Sequence, residues 1–278
     1  MNHQPAWVPE AADIERPSTA RMYDYYLGGS HNFTADRALA EEYIKVLPEI
    51  KAISVANRAF LRRAVTQVTR AGIDQFLDLG SGMPTAGNVH EVARAGNPRA
   101  RVVYVDADPV TVATGNNLLA DDPGTKYLHA DFRDPAEILR RPEVTSHLDL
   151  DRPVAVLMVA VLHFVPDEDD PAAVIAAYRA ASAPGSFLVC SHATNEYQPE
   201  TMRQASDVYK RASHTMHFRS REEISSLTQG YDLLPPGLVD VIHWQPEPED
   251  IDPYDGDVRR YNLLACVGRK SAEDVGGR

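Results

Sequence analysis

A series of short apolar runs, each followed by a segment with helical spacing, limits what this chain can fold into. The runs are Gln75–Leu79, Arg101–Asp106, 126–130, 153–161 and 186–192. Helical stretches at 85–95, 109–120, 135–141 and 170–183 separate them, and Pro109 and Pro171 stand in first turns, where a missing N–H does no harm. Residues 153–161 are almost wholly apolar, as expected of a strand buried on both faces. This alternation predicts an α/β fold built on a mostly parallel sheet with helices on both faces. Upstream, 36–47 and 54–70 have helical apolar spacing, the second through Ala56, Phe60, Leu61, Ala64 and Val68. Downstream, 199–212 and 221–227 read as helices, and 232–244 and 259–268 as strands.

Composition narrows the class. The chain has 278 residues, enough for one sizeable core. The division expected is a tail and helical extension at 1–54, a ligand-binding domain at 55–270 and a loose tail at 271–278. No apolar run approaches the ~20 residues of a membrane span, and 1–16 has no apolar signal core, so the cytoplasm is the expected location. A net charge of −12 indicates no nucleic-acid partner. Cys190 and Cys266, each in a strand-like run, read as buried free thiols without metal-ligand spacing. Oligomeric state leaves no mark.

Sheets of this kind bind ligands outside the carboxyl ends of their strands. The first strand ends in Asp78-Leu79-Gly80-Ser81-Gly82, where the glycines permit a sharp turn and close approach of a ligand to the backbone. Thr85 stands where a dinucleotide fingerprint has its third Gly or Ala, and no Walker loop follows. The second strand ends at Asp106, a carboxylate suited to both hydroxyls of a ribose, or else to a turn or cap; Asp108, before Pro109, is a candidate helix cap. The third ends at Asp131-Phe132, where an acceptor and a ring can meet an adenine, unless Asp131 caps the following helix. The fourth leads into His163, which could orient or deprotonate a substrate or be structural. The acidic run 167–170 reads as a solvated loop rather than a metal site.

Taken in order, Leu77-Asp78-Leu79-Gly80-Ser81-Gly82, Val105-Asp106 and Ala130-Asp131-Phe132 resemble the S-adenosyl-L-methionine-dependent methyltransferases with the Rossmann-like fold. A narrower likeness covers nearly the whole chain. Arg16-Pro17-Ser18, Ala20 to Gly29, Asn32-Phe33, Asn57 to Leu61, Gly82 to Thr85 and Ala160 to Asp167 are similar to the blocks of a bacterial methyltransferase family of largely uncharacterised substrate. Ser30 and His31 depart from it, standing where a more strongly charged pair is expected. The likeness implies seven strands, the last antiparallel and inserted between the fifth and sixth. It implies S-adenosyl-L-methionine as cofactor, with Gly80, Ser81 and Gly82 behind the methionine part, Asp106 on the ribose, and Asp131 with Phe132 on the adenine. Asp78, Ala107 and Ala160 join this expected cofactor wall, and Arg21 could reach the cofactor carboxylate or lie on the surface. His163 and Tyr26 are the expected catalytic side chains, acting on a small-molecule methyl acceptor.

The aromatic residues around Gly28-Gly29 suit a lid that closes over the site, or a helix packed on the core and stopped by glycine. Two other functions fit the same residues: a non-catalytic module that binds S-adenosylmethionine or its demethylated product, and a nicotinamide-dependent oxidoreductase, against which Thr85 argues.

Overall fold

The computed structural model describes residues 9, 12–84 and 87–271. Parallel strands β1 (Gln75–Leu79), β2 (Arg101–Asp106), β3 (Thr125–His129), β4 (Ala155–Val159) and β5 (Phe187–Ala193) are joined by β6 (Tyr231–Leu233), β7 (Val239–Asp240) and β8 (Leu263–Lys270). Their order is β3-β2-β1-β4-β5-β8-β6, with β7 also paired to β8, which runs antiparallel to β5. The last strand thus enters between the fifth and sixth, as expected, but the sheet has eight strands rather than seven. The run at 232–244, expected as one strand, is broken by Pro235 and Pro236, which have no N–H to give a ladder. Its two halves pair with opposite ends of β8, and 241–243 turn into a 3₁₀ helix.

The period-two alternation of the strands builds two cores. Phe76, Val102, Tyr104, Ala155 and Leu157 face one layer, while Leu77, Val103, Val105, Val156 and Met158 face the other. The first layer is covered by α1 (Thr19–Tyr26), α2 (Thr34–Val46), α3 (Ile50–Arg70), α4 (Val89–Gly96) and part of α5 (Pro109–Leu118). The second is covered by α6 (Pro135–Ile138), α7 (Pro142–Thr145), α8 (Pro171–Ala181) and α10 (Arg221–Leu227); α9 (Pro199–Tyr209) returns to the first layer. Helix α3 starts at Ile50 and so crosses the expected boundary at 54–55. The helix expected over 85–95 begins at Val89, with Asn88 as its N-cap; residues 85–86 and most of the 271–278 tail lie outside the described residues. Cys190 and Cys266 are buried, unoxidised and opposite one another on β5 and β8.

The glycine pair after α1 is a helix stop. Gly28 takes φ +79°, Gly28 N–H donates to Tyr25 O and Gly29 N–H to Asp24 O, which closes the last turn in the Schellman pattern. Asp24 then pins the loop: its Oδ2 accepts from His31 N and Asn32 Nδ2, and its Oδ1 lies 2.0 Å from where a Cβ on Gly29 would stand. Gly29→Ala is therefore expected to destabilise the fold by about 1–3 kcal/mol through overpacking. Gly28→Ala, with open space around it, should show only the smaller strain of a positive φ, about 1 kcal/mol. Urea denaturation of both variants checks the order.

Candidate functional site

The carboxyl ends of β1 to β4 open into a cavity of about 400 Å³, roofed by residues 13–26 and walled by α3, α9 and the chain at 213–216. Every residue singled out from the sequence lines it: Arg21, Tyr26, Asp78, Gly80, Ser81, Gly82, Asp106, Ala107, Asp131, Phe132, Ala160 and His163. Among the described residues no His/Cys/Asp/Glu cluster suited to a metal occurs.

The turn after β1 is held from β2. Gly80 N and Ser81 N both donate to Val105 O, and Gly82 N donates to Asp106 Oδ2 at 2.8 Å. Gly80 has φ +67°, and a Cβ there would stand 2.2 Å from Val161, so close packing of β1 on the end of β4 demands glycine. At Gly82, also at φ +67°, nothing among the described residues lies within 4 Å of that position, which leaves room for a ligand to approach the backbone. Tyr127 O–H donates to Gly82 O, and Ser81 Oγ donates in turn to Tyr127.

Of the five carboxylates on the cavity wall, Asp78, Asp106 and Asp131 are in different electrostatic states. The Asp78 side chain, on a residue 6% exposed, makes no hydrogen bond among the described residues. Burial pushes it up to about 7, although Arg58 on α3 pulls the other way. Asp106 accepts from Asp108 N and Gly82 N, yet burial still pushes it up to about 6. Asp131 is half-exposed and forked by Arg133, whose bonds overcome partial burial and hold it below the usual range. Phe132, beside it, packs its ring into the second core and accepts from Tyr178 O–H through its carbonyl.

Arg21 is not on the surface: it is 2% exposed. Its guanidinium joins Asp36 and Asp108, each at 2.8 Å, and the carbonyls of Asp13 and Arg16. Asp36 also accepts from Ser18 N and Phe33 N, so one carboxylate gathers the extension together. Asp108 both caps α5 through Thr111 N and receives Arg21, so the roof is tied to the loop that carries Asp106 and Ala107.

At the end of β4, Ala160 takes φ +54° and gives its N–H to Ser191. Ser191 Oγ donates to Asn57, whose Nδ2 donates to Tyr23, whose hydroxyl donates to Ser54 O. This relay fixes α1 and α3 against β4 and β5. His163 follows in a 3₁₀ turn. Ala193 N–H points at its Nδ1 from 3.4 Å, which leaves the ring proton on Nε2. Burial, with His192 and Arg219 near, holds His163 well below the ordinary histidine range, so it is neutral at pH 7. Arg219 braces this turn by donating to Leu162 O, Val165 O, Asp167 and His192 Nε2. The Tyr26 hydroxyl lies 3.4 Å from that of Tyr209, and burial raises both above the ordinary tyrosine value, so neither ionises at neutral pH.

Asn57, Arg58, Tyr209, Met216 and Arg219 were not singled out as site residues. Asn57 carried a signal, a polar residue inside the apolar stripe of α3 between Ile53 and Leu61. Tyr209, Met216 and Arg219 are brought in from far along the chain and carried none.

The sequence profile described as S-adenosyl methyltransferase matches residues 5–271. The chain belongs to that family. Its cofactor is S-adenosyl-L-methionine, and it is an S-adenosylmethionine-dependent methyltransferase. A Thermobifida fusca protein provisionally described as a methyltransferase is similar to it at 40% identity, covering 96% of this chain and 100% of that one, with a TM-score of 0.89. A DUF574 family protein from Streptomyces avermitilis is 36% identical, covering 93% and 99%, with a TM-score of 0.87. An O-methyltransferase family protein from Burkholderia thailandensis shares only the fold, at 13% identity over 93% and 65% and a TM-score of 0.52. No curated protein matches the chain. Among the described residues, no helix of this methyltransferase is long and apolar enough to cross a membrane.

Proposed function

We propose that this methyltransferase acts on a small molecule bound beside His163 and Tyr26, with the cofactor lying from Asp78 to Asp131. The observation that carries this reading is Asp78: a buried carboxylate with no hydrogen bond among the described residues, beside Arg58, in the cavity that also holds Gly82, Asp106 and Asp131. A buried unpartnered carboxylate is costly unless a ligand satisfies it, and an α-ammonium would do so. Arg58 can face the carboxylate of the same amino acid, while Arg21, committed to Asp36 and Asp108, acts as a positioning residue that holds the roof. Asp106 keeps lone pairs for the ribose beyond its two backbone bonds. Asp131 and Phe132 flank the adenine.

When bound, S-adenosylmethionine supplies an electrophilic methyl group on a positively charged sulfur. The protein's part is to orient and to exclude water, which can supply much of the acceleration without a covalent intermediate. Residues 13–26 cover the cavity, His163 offers Nε2–H as a hydrogen-bond donor, and Tyr26 offers a neutral hydroxyl.

Asp106 gives this reading a pH signature. A ribose bonded to its carboxylate favours the ionised form, so binding and deprotonation are linked. Asp78, pushed up to about 7, must likewise be ionised to accept an α-ammonium, so affinity for S-adenosylhomocysteine is expected to rise with pH and to be more than about tenfold weaker at pH 5 than at pH 7.5. Calorimetric titration across that range tests it, with a nicotinamide dinucleotide as comparison. Tight nicotinamide binding without S-adenosylhomocysteine binding contradicts the reading.

A further inference from the structure

The cavity is chemically divided. Among the described residues, every Asp and Arg on its wall belongs to segment 13–21, to Arg58, or to the loops at the ends of β1, β2 and β3, and no Glu or Lys lines it. The remainder, from the end of α1, α2, α3, α9, the turn after β4 and the segments at 213–216 and 261–263, is aliphatic, aromatic and sulfur-bearing, and its polar side chains, among them Asn57, Asn262 and a His214 that burial holds below the ordinary histidine range, carry no charge at neutral pH. Tyr43 meets Tyr209 edge-to-face at 4.8 Å, Tyr26 lies 6.0 Å from Tyr43, and Phe164 lies 5.9 Å from Tyr209 and 4.5 Å from His163. Met216 closes one side, its sulfur 3.6 Å from the Tyr43 hydroxyl.

We propose that the methyl acceptor is a compact, uncharged aromatic molecule seated in this chamber between Tyr26, Phe164 and Tyr209. The inference rests on the methyltransferase reading of the cavity and narrows its substrate. A charged acceptor would leave water for a wall with no counter-ion, a penalty that a neutral molecule does not face. Ring faces and edges favour another ring in offset or edge-to-face contact, and methionine sulfur adapts to its outline. Polarity is present but neutral. The Tyr26 and Tyr209 hydroxyls share one long contact of 3.4 Å, so both keep hydrogen-bonding capacity for a hydroxyl or ring nitrogen.

The test uses the full chain saturated with S-adenosylhomocysteine, whose binding is measured first. Phenol, cyclohexanol, benzoate and benzylamine are then titrated by saturation-transfer NMR. Phenol is expected to bind, cyclohexanol several-fold more weakly, and the anion and cation at least tenfold more weakly. Phe164→Leu should weaken phenol several-fold while S-adenosylhomocysteine affinity changes less than about twofold. The ligand series on the unaltered chain stands even if that variant folds poorly. Charged or saturated probes binding as well as phenol, phenol binding that ignores Phe164→Leu, or no probe binding at all would overturn the proposal and leave the cofactor reading intact. Failure of S-adenosylhomocysteine to bind the unaltered chain would instead remove the cofactor reading on which the proposal stands.

Discussion

Asp78→Asn is expected to make the cofactor-free protein more stable and its complex with the cofactor weaker. The carboxyl of Asp78 sits near 3.8 in an unfolded chain and about 7 in the folded one, because burial outweighs the attraction of Arg58. A raised acid contributes stability below the unfolded value and loses it as pH climbs through the folded one. A tenfold change in proton affinity is worth about 1.4 kcal/mol, so at pH 8 the ionised group opposes folding by roughly 2–4 kcal/mol. Asparagine fills the same space without the charge. The cofactor-free variant should melt several degrees higher at pH 8, and the gain should vanish near pH 4. The same change removes the acceptor for an α-ammonium, so S-adenosylhomocysteine should bind at least tenfold more weakly. Scanning calorimetry at the two pH values, followed by titration, separates the effects. A variant that melts lower at pH 8 and binds as tightly as the parent would mean that Asp78 is structural.

Asp106→Ala should act in the opposite sense on stability. Its carboxylate receives Gly82 N and Asp108 N, and removal leaves two part-buried N–H groups without that acceptor, at about 1–2 kcal/mol. Cofactor affinity should fall by a further 1–3 kcal/mol or so, roughly five- to 150-fold, because ribose hydroxyls lose a charge-assisted acceptor. Asp106→Asn keeps an acceptor oxygen for the turn and should therefore fold better than the alanine variant. Its affinity should remain low and lose the dependence on pH that the carboxylate confers. A folded Asp106→Ala variant with unchanged affinity removes the ribose assignment.

The fold was legible because its signals are local. Strand and helix periods alternate through 75–193, and each of β1 to β4 shows an apolar run ending in glycine, an acid or histidine. Those ends meet in one cavity because parallel strands present all their carboxyl termini on one side of the sheet. Three features were hidden for physical reasons. The run at 232–244 has strand-like composition, and only Pro235 and Pro236 reveal that it cannot pair throughout. Arg21 reads as surface or ligand-facing, since nothing in the sequence tells that Asp36 and Asp108 converge on it. Tyr209 and Met216 come from α9 and the loop after it, more than a hundred residues beyond Tyr43, and only tertiary packing joins them into the aromatic chamber.

A crystal structure of the protein with S-adenosylhomocysteine tests the central claim most directly. The account predicts the amino-acid end within hydrogen-bonding reach of Asp78, both ribose hydroxyls on Asp106, and the base beside Asp131 and Phe132. A bound molecule whose ribose lies away from Asp106, with its amino acid away from Asp78, would contradict it.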